Sequence, residues 1–224
     1  MTQYMKLIYH IVKHEVYLTY RLMRSNVDAA FVPFPIFTTA SLLYRGAELD
    51  EILHTIAHAI GYGFLFAYTI DLANNAEGST LEDEINKPDR PIVSKLTTIN
   101  AIRARYYISS GIWLIYSHFL NVKKWAVTWV VTVLIHYGLH AARFGPMKDI
   151  CMTIATAVQL MACWEIGGSD VEVGWSWVKL ITMWAVPTVP IQDFRDVPGD
   201  IACGRRTTPI LLGVIPGICV PPGN

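Results

Sequence analysis

The chain has 224 residues, of which 53% are hydrophobic and only 16% charged, and its formal net charge is zero. Soluble domains carry roughly 25% charged residues, so this composition does not build an ordinary water-facing surface. Zero net charge likewise gives no electrostatic basis for holding nucleic acid.

The mean hydropathy is +0.35. Seven Trp and eleven Tyr fit a protein with two membrane–water interfaces. Residues 4–24 are amphipathic and basic, with Lys6, Lys13, Arg21 and Arg24, the pattern of a helix lying in a membrane surface. The first apolar run begins only behind this segment, which argues against a secretory signal. Apolar spans are expected near 27–44, 52–72, 100–120, 125–143, 149–166 and 175–192. Each is close to the roughly 20 residues that cross a bilayer. Pro33 and Pro35 make the first irregular, and Pro187 and Pro190 interrupt the last. No internal repeat or low-complexity linker is visible. With the N-terminus in the cytoplasm, only Arg45, Lys123 and Lys124 fall in outside loops, while the other loop cations fall inside. This alternation puts the loop after the second span and the stretch after the sixth on the same, cytoplasmic side.

Both of these segments are polar. The stretch 192–209 reads QDFRDVPGDIACGRRTTP, with Asp193, Asp196 and Asp200 at spacings of three and four. On a near-helical backbone that spacing puts three carboxylates on one side, though Pro198 disfavours the α region at Val197. Carboxylates without an apolar screen can hold Mg²⁺, and Arg195, Arg205 and Arg206 can grip phosphate oxygens in a fork. The plainer alternative is a solvated helix end with local ion pairs. The loop after the second span carries Asp71, Asn74, Asn75, Glu77, Glu82, Asp83 and Glu84, then Asn86, Lys87, Pro88, Asp89, Arg90 and Pro91. Facing each other across one bundle, the two clusters suit two or three Mg²⁺ ions around a diphosphate. The chemistry expected is loss of diphosphate from an allylic prenyl diphosphate. The carbocation left behind needs a dry aromatic pocket. Phe64, Phe66, Tyr68, Trp113, Tyr116, Trp164 and Trp184 are candidates for its lining, with plain packing as the alternative for each.

His54/His58 and His136/His140 are each spaced to share a helix face, but no carboxylate completes either pair as a metal site. Hydrogen bonds to neighbouring helices are the simpler reading. Glu165 is expected near the outer interface, and Lys179 can snorkel. Cys151, Cys163, Cys203 and Cys219 form no CxxC pair and read as reduced structural residues.

QDFRDVPGDIACGRRTTP resembles the second aspartate motif of the UbiA superfamily of intramembrane prenyltransferases and terpene cyclases, DxxDxxxD followed by a basic GRRT segment. EDEINKPDRP is similar to the EDxxNKPxRP pattern of a fungal branch that includes membrane-bound terpene cyclases. The prenyltransferases' usual first motif, NxxxDxxxD, is not matched, because the fourth residue after Asn74 is Gly78 and after Asn75 is Ser79. The resemblance runs from about residue 20 onward. It implies an all-α membrane protein, a UbiA-like transmembrane helical bundle with about six of the family's nine spans. Residues 1–224 would form one such domain, with 1–25 as the amphipathic helix and the C-terminal helices absent. It implies catalytic roles for Asp193, Asp196 and Asp200. Metal ligation falls to these three with Asn74, Glu82 and Asp83, and diphosphate binding to Lys87, Arg90, Arg195, Arg205 and Arg206. The implied cofactor is Mg²⁺, and the implied partners are a prenyl diphosphate and the lipid bilayer, with neither nucleic acid nor a protein partner. The expected function is a terpene cyclase acting on farnesyl or geranylgeranyl diphosphate. The alternatives are a prenyltransferase with an aromatic acceptor and a non-catalytic, truncated membrane protein. A channel or transporter is disfavoured, because the charges sit in loops rather than along the spans.

Overall fold

The computed structural model describes residues 3–77 and 80–213. The described residues fold almost wholly into helices: α1 (Gln3–Met23), α2 (Val27–Ala30), α3 (Pro33–Tyr44), α4 (Leu49–Glu77), α5 (Thr80–Asn86), α6 (Ile99–Phe119), α7 (Lys123–Val133), α8 (Gly145–Ile166), α9 (Val171–Ala185), α10 (Val197–Ala202) and α11 (Thr208–Leu211).

The helices depart from the expected spans where the chemistry of the backbone requires it. Pro33 occupies the first turn of α3, where its missing N–H costs nothing, so the span expected near 27–44 is split into α2 and α3. The long loop after the second span is partly helical, with α4 running on to Glu77 and α5 following. The fourth span stays α-helical only to Val133 and continues as a π turn, Leu134–Gly138. There Leu139 N–H donates to Leu134 O, five residues back. His140 then takes a left-handed conformation, φ 56°, which a non-glycine residue rarely adopts. The turn and His140 together end the shared face expected for His136 and His140. Pro187 and Pro190 stop α9, and the chain proceeds as a 3₁₀ helix, Val189–Phe194.

The core lies where α4 packs on α3 and α6, and α8 on α3, α7 and α9. Phe66 of α4 sits at its centre, with ring centroids 5.2 Å from Phe34, 5.7 Å from Trp113 and 5.5 Å from Trp129. Gly63 makes this contact possible, since a Cβ there would lie 2.7 Å from Phe34 Cγ. α1 docks only through its end, where Leu18 and Leu22 bury against Leu72, Ala76 and Ile102, and Arg105 holds Glu15 at 2.5 Å. The rest of α1 presents Tyr4, Ile8, Val12 and Val16 to its surroundings.

Leu49–Ala76 of α4 and Gly145–Ile166 of α8 are long and apolar enough to cross a bilayer. α6 has a comparable length but carries Arg103 and Arg105 in its first turns. The outer faces of α6 and α9 expose Ile108, Ile112, Ile115 and Phe119, and Trp177, Leu180, Met183 and Trp184, a surface suited to lipid. At one end of the bundle Arg45 Nε donates to Gly167 O at 2.7 Å and Lys124 pairs with Glu165 at 2.8 Å, so Glu165 is held in an ion pair. Lys179 is exposed. His54 and His58 share a face, and His58 Nδ1 lies 2.7 Å from the Tyr116 hydroxyl, a hydrogen-bonded pair. Cys151 and Cys163 are buried and Cys203 is half-buried, none of the three in a disulfide, and Cys219 lies outside the described residues.

Replacing Gly63 by Ala is expected to destabilise the bundle by about 1–3 kcal/mol, the usual cost of overpacking a filled core. The thermal midpoint of the detergent-solubilised protein measures it. Adding Phe34→Leu to the same chain should recover part of the loss.

Candidate active site

The site is built where α5 meets α10. Asn86, the last residue of α5, donates from Nδ2 to Asp196 O at 2.9 Å and accepts at Oδ1 from Gly199 N at 3.2 Å. Gly199 leaves room for this clasp, because a Cβ there would lie 2.3 Å from Asn86 Nδ2. Beside it, Lys87 Nζ pairs with Asp196 Oδ2 at 2.8 Å. The two polar segments expected to share one side of the bundle are therefore in contact.

Acids and bases alternate around this junction. Asp193, only 1% exposed, binds Lys148 Nζ at 2.5 Å through Oδ1, while its Oδ2 is buried with no hydrogen-bond partner. Arg205 lies between Glu82 at 2.5 Å and Asp200 at 3.3 Å. Thr207 Oγ1 donates to the other oxygen of Asp200 at 3.1 Å. Arg90 grips both oxygens of Asp83, at 2.7 and 2.9 Å. Arg24 pairs with Asp89, and Arg21 donates to the Asp89 carbonyl, so the end of α1 reaches the same rim. Segment 204–208 is fixed to the start of α8 by Gly145 N–H donating to Arg206 O at 2.8 Å.

These groups surround a cavity of about 490 Å³. Asn74, Glu82, Lys87, Arg90, Asp193, Arg195, Asp196 and Arg205, all expected from the sequence, lie on its wall. Asp83 and Asp200 do not; their carboxylates serve Arg90, and Thr207 with Arg205. Arg206 is exposed and contributes its backbone. The single carboxylate face expected for Asp193, Asp196 and Asp200 does not form. Asp193 belongs to the 3₁₀ helix, Asp196 caps α10 and Asp200 lies inside it, so the three diverge onto different cations. Among the described residues, no group of three or more His, Cys, Asp or Glu side chains gathers as a ready metal set.

The aromatic lining differs more. Of the expected residues only Phe66 reaches the wall, joined by Trp129, Tyr137 and His136. Trp113 packs behind Phe66, and Tyr116 is bonded to His58. Trp164 packs on Phe37 and donates to Asp170 O at 2.7 Å. Tyr68 packs with the residues beneath α1, while Phe64 and Trp184 face outward. The sequence reading also missed Lys148 and Asn86. Lys148 stands next to Asp149 one turn into an apolar helix, and a cation there is a signal in itself.

Charge and burial compete at these carboxyls. Burial pushes the Glu82 carboxyl up, against the pull of Arg205 and Lys87. Burial also raises Asp193, although Lys148 opposes it. At Asp196 burial acts upward too, but Lys87 and Arg195 together prevail and hold it below the ordinary Asp value of 3.8.

Two polar segments thus meet over one cavity at the end of an apolar helical bundle. The sequence profile of the UbiA prenyltransferase family matches residues 34–215, and the chain belongs to that family. Somaliensene A/B synthase of Streptomyces somaliensis is 29% identical over 206 residues, covering 92% of this chain and 69% of that protein. Diterpene cyclase eriG of Hericium erinaceus is 35% identical over 153 residues, covering 66% of this chain and 49% of that one. Polyprenyl transferase eriF of the same fungus is 28% identical over 207 residues, covering 90% and 70%. A solved structure of digeranylgeranylglyceryl phosphate synthase in membranes superposes with a TM-score of 0.67 at 18% identity, covering 88% of this chain and 69% of that one, and shares the fold.

The depressed Asp196 value fixes the sign of one pH effect. The folded chain releases this proton more readily than the unfolded chain. The stabilisation is therefore complete above the ordinary value of 3.8 and is lost as pH falls through the lower folded value. The thermal midpoint should drop over that acid range, and Asp196→Asn should flatten this part of the profile.

Proposed function

We propose that the chain is an intramembrane terpene cyclase that ionises a prenyl diphosphate, farnesyl or geranylgeranyl diphosphate, with Mg²⁺ and cyclises the resulting cation. The observation that carries this reading is one cavity wall holding both a cluster of cations and carboxylates and the faces of Phe66, Trp129 and Tyr137. The substrate has the same two halves. Similarity to a diterpene cyclase and to somaliensene synthase supports the choice of cyclisation.

The oxygen donors suit Mg²⁺, a hard cation that shares carboxylates with phosphates. The free Oδ2 of Asp193, with the oxygens of Glu82, Asp196 and Asn74 on the same wall, would hold it. When bound there, the ion neutralises charge growing on the leaving diphosphate. The chain's own residues do the rest. Lys148, Lys87 and Arg205 are held by acids and can exchange a carboxylate oxygen for a phosphate oxygen with little reorientation. Trp129, Phe66 and Tyr137 line the cavity with aromatic rings that would stabilise the allylic cation. Phe66, Ile70, Trp129 and Met152 make part of the lining apolar, and that part would shield the cation from water. Transfer of the same cation to an aromatic acceptor is the second reading, and similarity to polyprenyl transferase eriF favours it. The polar segments face the cytoplasm in this proposal, because the Lys and Arg of the loops concentrate at that end.

Membranes carrying the chain, given prenyl diphosphates of several lengths and Mg²⁺, should yield a cyclic hydrocarbon without acceptor. Turnover only after addition of a phenol would favour transfer. Asp193→Asn and Asp196→Asn should each lower kcat by roughly 10²–10³, the usual loss for one preorganised electrostatic contact. Arg205→Ala should also weaken substrate binding, because a fork of donors is lost. Reporter tags at residues 80 and 200 should both register the cytoplasm, and one at 170 the opposite side.

A further inference from the structure

We infer that His136 is the base that ends the reaction, taking a proton from the cyclised carbocation and releasing an alkene. This assignment rests on the cyclase reading above and adds a residue to it. His136 is 3% exposed and its ring lines the cavity with Phe66, Trp129 and Tyr137, the wall that would face the hydrocarbon. Its Nδ1 is buried and has no hydrogen-bond partner. A buried imidazole nitrogen left without a partner is costly unless the site uses it. Other titratable groups on the wall are engaged at the diphosphate end: Glu82 with Arg205, Asp196 with Lys87 and Arg195, Asp193 with Lys148. The Tyr137 ring stands nearly perpendicular to the imidazole, with centroids 4.5 Å apart, and restricts its rotation.

The backbone adds an independent observation. His136 is the middle residue of the π turn Leu134–Gly138. Trp129, Thr132, Val133 and His136 are buried at helical spacing, so the imidazole continues that face onto the cavity wall, and the extra residue in the turn leaves His140 exposed. π turns inside helices are rare and concentrate at functional sites.

The step balances without any further reagent. A C–H bond on the carbon next to the cationic centre breaks. Its electron pair becomes the new C=C bond and cancels the positive charge. The proton passes to the imidazole lone pair, giving an imidazolium. The departing diphosphate, whose oxygens are at least comparable in basicity with imidazole and which Lys148 and Arg205 would hold, takes that proton as it leaves and restores the neutral ring.

The test separates ionisation from termination. The full chain in membranes, with geranylgeranyl or farnesyl diphosphate and Mg²⁺, is assayed for diphosphate release and for product composition. For His136→Asn and His136→Gln the products are counted per diphosphate released. Their alkene should give way to alcohols from water capture or to alkenes with a shifted double bond, by about tenfold in product ratio. A role in shaping the wall alone would leave these near-isosteric variants making the same alkene without water-capture alcohols. The same alkene in unchanged proportion from either variant overturns the assignment. So does loss of product without change in composition in both variants at equal protein level. If the unsubstituted chain releases no diphosphate, the cyclase reading itself falls and this inference falls with it.

Discussion

The clasp of Asn86 on Asp196 and Gly199 is the contact on which the site depends. Two segments more than a hundred residues apart in sequence must meet at one cavity, and both are short helical pieces, of seven and six residues. A neutral amide with one donor and one acceptor satisfies both backbones at once. The pair Lys87–Asp196 then works next to an already ordered contact, so less side-chain freedom is lost in forming it.

The charge pattern follows from the low polarity around it. Isolated ions inside a membrane bundle are expensive, so each carboxylate that could meet a ligand is met by a cation. The acids thereby hold Lys148, Lys87 and Arg205 at the junction. Asp200 and Asp83 take the supporting part of this division, fixing Arg205, Thr207 and Arg90 without touching the cavity. Functional and structural carboxylates are thus interleaved within one motif.

Much of this was legible in the sequence. Loop charge predicted that residues near 80 and 200 share one end of the bundle, and the contact of α5 with α10 bears that out. The spacing of Asp193, Asp196 and Asp200 was read as a single helical face, and there the reasoning failed. Pro190 and Pro198 force a 3₁₀ turn followed by a fresh helix start, which rotates each aspartate separately. The aromatic lining was the least legible part. Helical periodicity identifies a buried face but not which buried face borders a void, so Trp113 and Phe66 look alike in sequence although only one reaches the cavity. His136 was singled out only as half of an i, i+4 pair with His140, and the π turn that separates the two has no sequence signature.

The shallow attachment of α1 has its own consequence. Only its last turns are fixed to the bundle, through Leu18, Leu22 and Arg105, yet Arg21 and Arg24 reach the cavity rim at Asp89. The rim is therefore suspended between protein on one side and whatever surface receives Tyr4, Ile8 and Val12 on the other. The entrance is thus built partly from whatever receives those side chains, and its shape is not a property of the helical bundle alone.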